Sequence, residues 1–185
     1  MRPALALLAL GILAVGGSPA RADSERALSV GLGWATFSTT VKPASGSMSP
    51  VAVSPDLGGT LSIAYEHMVG SDLGLRAELA GGLFYGGEGK GQSATSVAGL
   101  ADAGVVFRFD VLKYVPYAFG GIGAIASGGG PITGGVDFVL SVGGGLDILA
   151  SRQHSYGFEA RLASFGGDMT VFTLGVRGTT RWGFF

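Results

Sequence analysis

The sequence contains no cysteine and no asparagine. Without cysteine, neither a disulfide framework nor a thiolate-ligated zinc site can be built. Charge is scarce too. Asp, Glu, Lys and Arg make up 14% of the chain, against about 25% in an ordinary soluble domain. The formal net charge is −1, so the basic footprint that nucleic acid selects is missing. After the first two dozen residues there is no continuous apolar run of the roughly 18 residues that mark a spanning helix. What is present is glycine, 35 of 185 residues, and apolarity, with a mean hydropathy of +0.46. Low charge, high apolarity and no helix-length run leave strands as the means of entering a membrane.

Residues 1–22 have the pattern of a cleaved signal peptide. Arg2 supplies the positive start, Ala4 to Val15 the apolar stretch, and Ala20-Arg21-Ala22 a small-x-small cleavage site. Asp23 then begins a single domain that runs over 23–185.

The remainder alternates. In Thr170–Phe185, Phe172, Leu174, Val176, Trp182 and Phe184 share one parity, and Thr173, Arg177, Thr179 and Arg181 the other. Successive side chains of a strand point to opposite faces, so strict alternation predicts a strand with two unlike faces. Seven further runs repeat the pattern: about Ala27–Thr39, Gly59–Met68, Leu73–Tyr85, Ser96–Phe109, Val115–Ala126, Val136–Ile148 and Tyr156–Phe165. In the fifth, Val115, Tyr117, Phe119 and Ile125 are read as the apolar face. Such lengths suit tilted membrane strands, which need roughly 9–11 residues across hydrocarbon.

Charges sort by parity. Glu66, Arg76, Glu78, Asp102, Arg108, Asp137, Asp147, Glu159, Arg161, Arg177 and Arg181 all fall opposite the bulky apolar set, while Lys42, Lys90 and Lys113 fall between runs. The gaps also alternate. Thr40–Leu57, Gly86–Thr95, Ser127–Gly135 and Gly166–Met169 form one series, long except for its last member; Val69–Asp72, Asp110–Tyr114 and Leu149–Ser155 form the other and are short. Short periplasmic turns and longer extracellular loops are the pattern of transmembrane barrels. The expected fold is all-β: an eight-stranded antiparallel up-and-down transmembrane β-barrel with both ends of the domain on the periplasmic side.

Alternation alone leaves open which face points inward, and a soluble lipid-binding barrel shares the period. Three features favour the membrane form. Charges are sparse for a water-facing surface. The polar face carries small residues such as Ser29, Gly31, Gly33, Gly143 and Gly145, which suit the narrow interior of eight strands. Aromatics gather at strand ends: Tyr65, Phe107, Phe109, Tyr117, Tyr156, Trp182 and Phe184 near one boundary, and Trp34, Tyr85 and Phe172 near the other. Two aromatic girdles flanking an aliphatic band mark membrane barrels. The charged set is then expected inside, as an Arg–Glu/Asp network that fills the lumen. Of the last two residues, Phe184 is expected to face lipid and Phe185 not.

The run Val115-Pro116-Tyr117-Ala118-Phe119-Gly120-Gly121-Ile122-Gly123, then Ser141-Val142-Gly143-Gly144-Gly145-Leu146-Asp147 and Phe158-Glu159-Ala160-Arg161, resembles consecutive strands of small outer-membrane β-barrel proteins of the OmpA/OmpX-like superfamily. The resemblance covers roughly Ala27–Phe185. It implies a barrel in the bacterial outer membrane, folded by the outer-membrane assembly machinery, in contact with outer-membrane lipids and monomeric.

No catalytic, metal or cofactor site is expected. His154-Ser155 with Glu159 departs from the His-x-Ser spacing of lipid A deacylases, and His67 and His154 map to periplasmic strand ends. Gly86-Gly87-Glu88-Gly89-Lys90-Gly91 lacks the spacing of a phosphate loop. Glu66, Asp102 and Asp147 are better placed as ion-pair partners of arginine than as cation ligands. The expected function is a non-enzymatic outer-membrane barrel with a structural or surface-interaction role, such as envelope integrity or adhesion. A small pore or carrier for apolar solutes, a lipid A-modifying enzyme and a soluble periplasmic lipid-binding barrel are the rivals.

Overall fold

A sheet that alternates along all its strands has one apolar and one polar face, and this chain closes the sheet on itself with the apolar face outward. The computed structural model describes residues 25–41, 51–87, 95–109, 111, 113–129, 134–165 and 169–183. Its strands are β1 (Arg26–Val41), β2 (Val51–Val53), β3 (Leu57–Met68), β4 (Leu73–Tyr85), β5 (Thr95–Arg108), β6 (Tyr114–Gly128), β7 (Gly135–Leu149), β8 (His154–Phe165) and β9 (Met169–Trp182). Each long strand pairs antiparallel with the next, and β9 pairs back onto β1 from Arg26↔Trp182 to Thr39↔Met169. The result is an eight-stranded, up-and-down, closed barrel; no helix occurs among the described residues.

The short β2 is an extension of β3. Thr39 pairs with Val53 and Trp34 with Gly59. Four residues of β1 therefore face five on the other side, which is a bulge. Asp56, inside it, donates its N–H to the Tyr85 carbonyl at 2.9 Å. The loop expected over Thr40–Leu57 thus gives back part of its length to the sheet.

Register fixes the barrel's dimensions. Following paired residues around the wall leads from Leu28 through Tyr65, Ala77, Ala103, Ile122, Leu140, Ser164 and Thr170 to Ser38. The path returns to β1 ten residues above its start. With a rise of ~3.3 Å per residue and strands ~4.8 Å apart, that stagger requires a tilt of roughly 40° and a radius of about 8 Å.

The two faces are unlike. Leu32, Leu61, Leu79, Leu83, Val97, Ile122, Leu140, Val142, Phe158 and Val176 are among the large apolar side chains exposed on the outer wall. Glu66, Arg76, Glu78, Arg108, Asp147, Arg161, Arg177 and Arg181 are buried inside. A soluble lipid-binding barrel would have these faces exchanged. An apolar belt around the whole circumference far exceeds the patches that water-soluble surfaces carry, whereas hydrocarbon accepts it and requires a barrel without edges. Tyr65, Phe107, Phe109, Tyr156 and Trp182 are exposed at the short-turn end, and Trp34, Tyr85 and Phe172 at the long-loop end. Phe107 with Phe109, and Trp34 with Phe172, pack edge to face.

One strand has the opposite register to that expected. Val115, Tyr117, Phe119 and Ile125 point inward and are buried, so Tyr117 is not a girdle residue; exposed Tyr114 takes that place. The reason is space. Tyr117 pairs with Gly145 and Phe119 with Gly143. A Cβ at Gly145 would lie 2.6 Å from Tyr117 Cζ, and one at Gly143 would lie 2.8 Å from Phe119 Cε1. The rings lie over bare backbone. β6 carries no charged residue, so nothing in it marks the polar face.

A second correction concerns the ends. β1 starts at Arg26, one residue before the predicted boundary, and Arg26 is an exposed charge on the outward parity. β9 ends at Trp182. Residues 1–22, the segments Lys42–Pro50 and Glu88–Gly91, and Phe184 and Phe185 lie outside the described residues.

The exposed belt makes a direct prediction. Leu79→Arg, in the middle of the outer wall, should destabilise the folded barrel by about 2–4 kcal/mol. Urea titration in lipid vesicles measures this, and the folded wild type should show different gel mobility before and after boiling.

Candidate functional site

Alternation brings the inward positions of β3, β4, β5, β7, β8 and β9 into one cluster at the short-turn half of the lumen. Glu66 is its hub. It is fully buried and meets three arginines: Arg76 at 3.2 Å, Arg177 at 3.2 Å, and Arg108. Arg76 sits directly across from it in the β3–β4 ladder.

Arg177 makes the most complete set of contacts. Its Nε and Nη2 donate to Asp147 Oδ1 and Oδ2 at 2.9 and 2.8 Å, a two-pronged match. Its Nη1 reaches Glu66 and Glu159 at 3.2 and 3.3 Å. The guanidinium carbon lies 3.9 Å from the centroid of the Tyr117 ring. Gly157 stands between Asp147 and Arg177 in the ladders. A Cβ there would lie 2.7 Å from Asp147 Oδ1, so only glycine leaves the fork its path across β8.

Arg76 repeats the arrangement one layer on. It donates to Glu78 at 2.7 Å and to Glu159 at 2.8 and 3.0 Å, and its guanidinium carbon lies 4.0 Å from the Phe119 centroid. Arg161 completes the pairing of Glu78. Tyr117 donates its hydroxyl to Glu159 at 3.0 Å. At the short-turn mouth, Arg181 donates to Asp147 at 2.9 Å and Arg108 to Glu25 at 2.8 Å.

Five arginines (76, 108, 161, 177 and 181) thus meet five carboxylates (25, 66, 78, 147 and 159). The balance is what a desolvated cluster needs, since a surplus charge in low dielectric is costly.

Two of the predicted members stand apart. Asp102 faces inward but accepts from Ser141 Oγ at 2.7 Å, with no arginine paired to it among the described residues. Asp137 has the inward parity yet is exposed near the start of β7, above the level at which the wall encloses side chains. Three members were missed. Glu25 precedes the first alternating run, and Tyr117 and Phe119 had been assigned to the wrong face.

The long-loop half of the lumen is different. Ala35, Phe37, Phe84, Leu100, Ile125, Val139, Ala163, Met169 and Val171 form one buried apolar cluster. Phe37 and Phe84 pack edge to face with centroids 5.2 Å apart. Sequence reading placed only charges and small residues inside, so this second filling is a finding. Two cavities along the lumen among the described residues are small: about 30 Å³ between Ser62, Arg76, Glu159 and Arg177, and about 30 Å³ between Thr60, Phe84, Leu100 and Arg161. That is room for a water or so each. His154 is exposed on the outer side, whereas Glu159 is held inside by Arg76 and Arg177, so these two residues do not converge.

Removing one partner of a buried pair strands the others. Arg177→Met should cost about 3–5 kcal/mol in the same urea titration. The double variant with Asp147→Leu should cost clearly less than the sum of the two single changes, because each alone leaves the buried network with one charge in excess and the double change restores the balance.

No protein-family model matches the sequence, and no curated protein matches it. Solved structures do match in shape. Ail, the attachment invasion locus protein of Yersinia pestis, superposes with a TM-score of 0.60 at 15% identity, over 86% of this chain and 99% of that one. Neisserial surface protein A gives 0.61 at 12%, over 85% and 97%. OprG from Pseudomonas aeruginosa gives 0.60 at 10%, over 87% and 98%. At such identities the likeness bears on the fold, and the fold is that of the small eight-stranded outer-membrane barrels of the OmpA/OmpX-like type.

Proposed function

We propose that the chain is a non-enzymatic integral protein of the bacterial outer membrane, exported with cleavage after Ala22. Its role is structural or lies in surface contact through the loops at the long-loop end. One observation carries the reading: the barrel is apolar outside and filled inside. An ion pair network occupies one half of the lumen and an apolar cluster the other. The first holds strands together, and the second is largely apolar, with few polar groups to solvate an ion. Of the neighbours in shape, one is named for attachment and invasion and another as a surface protein, which supports a role facing outward. Short turns on the periplasmic side and assembly by the outer-membrane machinery as a monomer complete the proposal.

Two measurements test it. Reconstituted into planar bilayers, the protein should be electrically silent. Discrete conductance steps that change on Arg177→Ala would instead support a small pore. The intact mass of the protein recovered from outer membranes should correspond to a chain beginning at Asp23; a chain that still carries residues 1–22 would remove the cleavage claim, and absence of the protein from the outer-membrane fraction would remove the export claim.

A further inference from the structure

The outer wall breaks its own rule once. Among the described residues, Arg26 is the one charged side chain on the outward parity of the strands. It pairs across the ladders with His67 on one side and Trp182 on the other. Tyr65 lies against Trp182, with ring centroids 6.4 Å apart. Among the described residues, the carboxylates inside the nearby mouth are paired elsewhere, Glu25 to Arg108 and Arg181 and Asp147 to Arg177 and Arg181, and Asp72, exposed in the β3–β4 turn, makes no ion pair with Arg26. Arg26 has no ion-pair partner among the described residues, and His67 Nδ1 is shielded from solvent without a hydrogen bond. A cation and an imidazole flanked by interfacial aromatics, at the level where headgroups lie, form an electrostatic match for a phosphate.

The wall above this cluster is concave. A groove of about 580 Å³ begins at Leu28 and Tyr65 and runs past Ala77 and Ala103. A second groove of about 710 Å³ continues past Gly81, Gly99 and Ala126. The two share Ile63, Leu79, Ala101 and Ala124, so they form one trough.

Its direction follows from the tilt. At roughly 40°, a line rising along the membrane normal crosses one strand for every ~7 Å climbed. Drawn from His67, that line meets β4 at Ala77, β5 at Ala101 and β6 between Ala124 and Ala126. One leaflet of hydrocarbon is about 15 Å deep, which carries the line from His67 to Ala101. The small side chains lie where an acyl chain hanging from a phosphate beside His67 would run.

We infer that Arg26 and His67, with the trough over β3–β6, form a binding site for an anionic phospholipid of the periplasmic leaflet. The phosphate sits between the two side chains and one acyl chain lies in the trough. This rests on the proposed membrane reading, with the short turns facing the periplasm. The site is lipid-facing, separate from the lumenal network, and fixes the depth and rotation of the barrel at that leaflet.

The test uses nanodiscs of equal phosphatidylethanolamine and phosphatidylglycerol, with native mass spectrometry counting the lipids retained on the released barrel. The wild type should retain phosphatidylglycerol over phosphatidylethanolamine roughly fivefold, the worth of one arginine at an anionic surface. Arg26→Gln should bring that ratio close to one. Ala101→Phe, which fills the trough while keeping the cation, should reduce retention of phosphatidylglycerol by a similar factor. Boil-dependent gel mobility verifies that each variant is folded. Equal retention of both lipids by the wild type overturns the inference, and so does an unchanged ratio in folded Arg26→Gln or unchanged retention in folded Ala101→Phe. Failure of the wild type to enter nanodiscs at all would sink the membrane reading itself, which separates the two outcomes.

Discussion

The β1–β9 pairing is the constraint on which the structure depends. In hydrocarbon an unpaired backbone N–H or C=O costs several kcal/mol, so a sheet there must have no edge. Fourteen consecutive pairs, from Arg26↔Trp182 to Thr39↔Met169, remove the edge. Closure at this stagger also sets a radius of about 8 Å. The radius then decides what the interior can hold. Eight walls of large side chains would collide, which is why Gly143 and Gly145 stand opposite Phe119 and Tyr117. The Arg76 and Arg177 guanidinium groups lie over those two rings, 4.0 Å from the Phe119 centroid and 3.9 Å from the Tyr117 centroid. Arginine suits the position because its guanidinium is planar, stays charged, and offers a fork to carboxylates and a face to aromatics.

Desolvating ten charged groups is expensive, and a buried pair is often no more stabilising than a well-packed apolar pair. What the cluster does supply is register. Glu66 is 111 positions from Arg177 in sequence and Glu78 is 83 from Arg161. Their contacts bind β3 to β9 and β4 to β8 across the lumen. A one-residue slip of any of these strands would turn its charge toward lipid. The network therefore penalises wrong registers far more than it rewards the right one. Outward leucines and valines penalise the same slips from the other side.

Much of this was legible in the sequence, and the failures have physical causes. Charges are unambiguous witnesses of the inner face, so runs containing Arg76, Asp102, Glu159 or Arg177 were read with the correct parity. β6 has no such witness. Its apolar residues occupy both parities, and the choice was made by the glycines of β7, a neighbour that single-strand reading does not see. Glu25 lies before the first alternating residue and reaches the network only because the mouth is narrow enough for it to meet Arg108 and Arg181. Asp137 has the right parity and the wrong height, which periodicity cannot distinguish. The apolar cluster was missed for a related reason. Phe37, Phe84 and Leu100 sit on the polar parity, and once charges had marked that face as polar, apolar residues on it lost their meaning.

The division of the lumen bears on what the barrel can do. A hydrated ion entering from the short-turn mouth meets paired charges first, with Glu25 and Arg108 at the entrance and Glu66 behind them. Its water can be exchanged for those groups only if an existing pair opens. Beyond Arg161 lies Phe84, then Leu100, Ile125 and Val139, with only Asp102 bonded to Ser141, Thr173 and the buried Ser96 as polar groups beside them. Passage would require both breaking a buried ion pair and crossing largely apolar packing with little solvation, and each is unfavourable. The two fillings obstruct by different physics, so a change that loosens one leaves the other in place. A lumen filled in these two ways ties strands to one another across the barrel. On the outside, the strands keep one charge among the described residues, Arg26 at the short-turn end, so the asymmetry between the two faces is nearly complete.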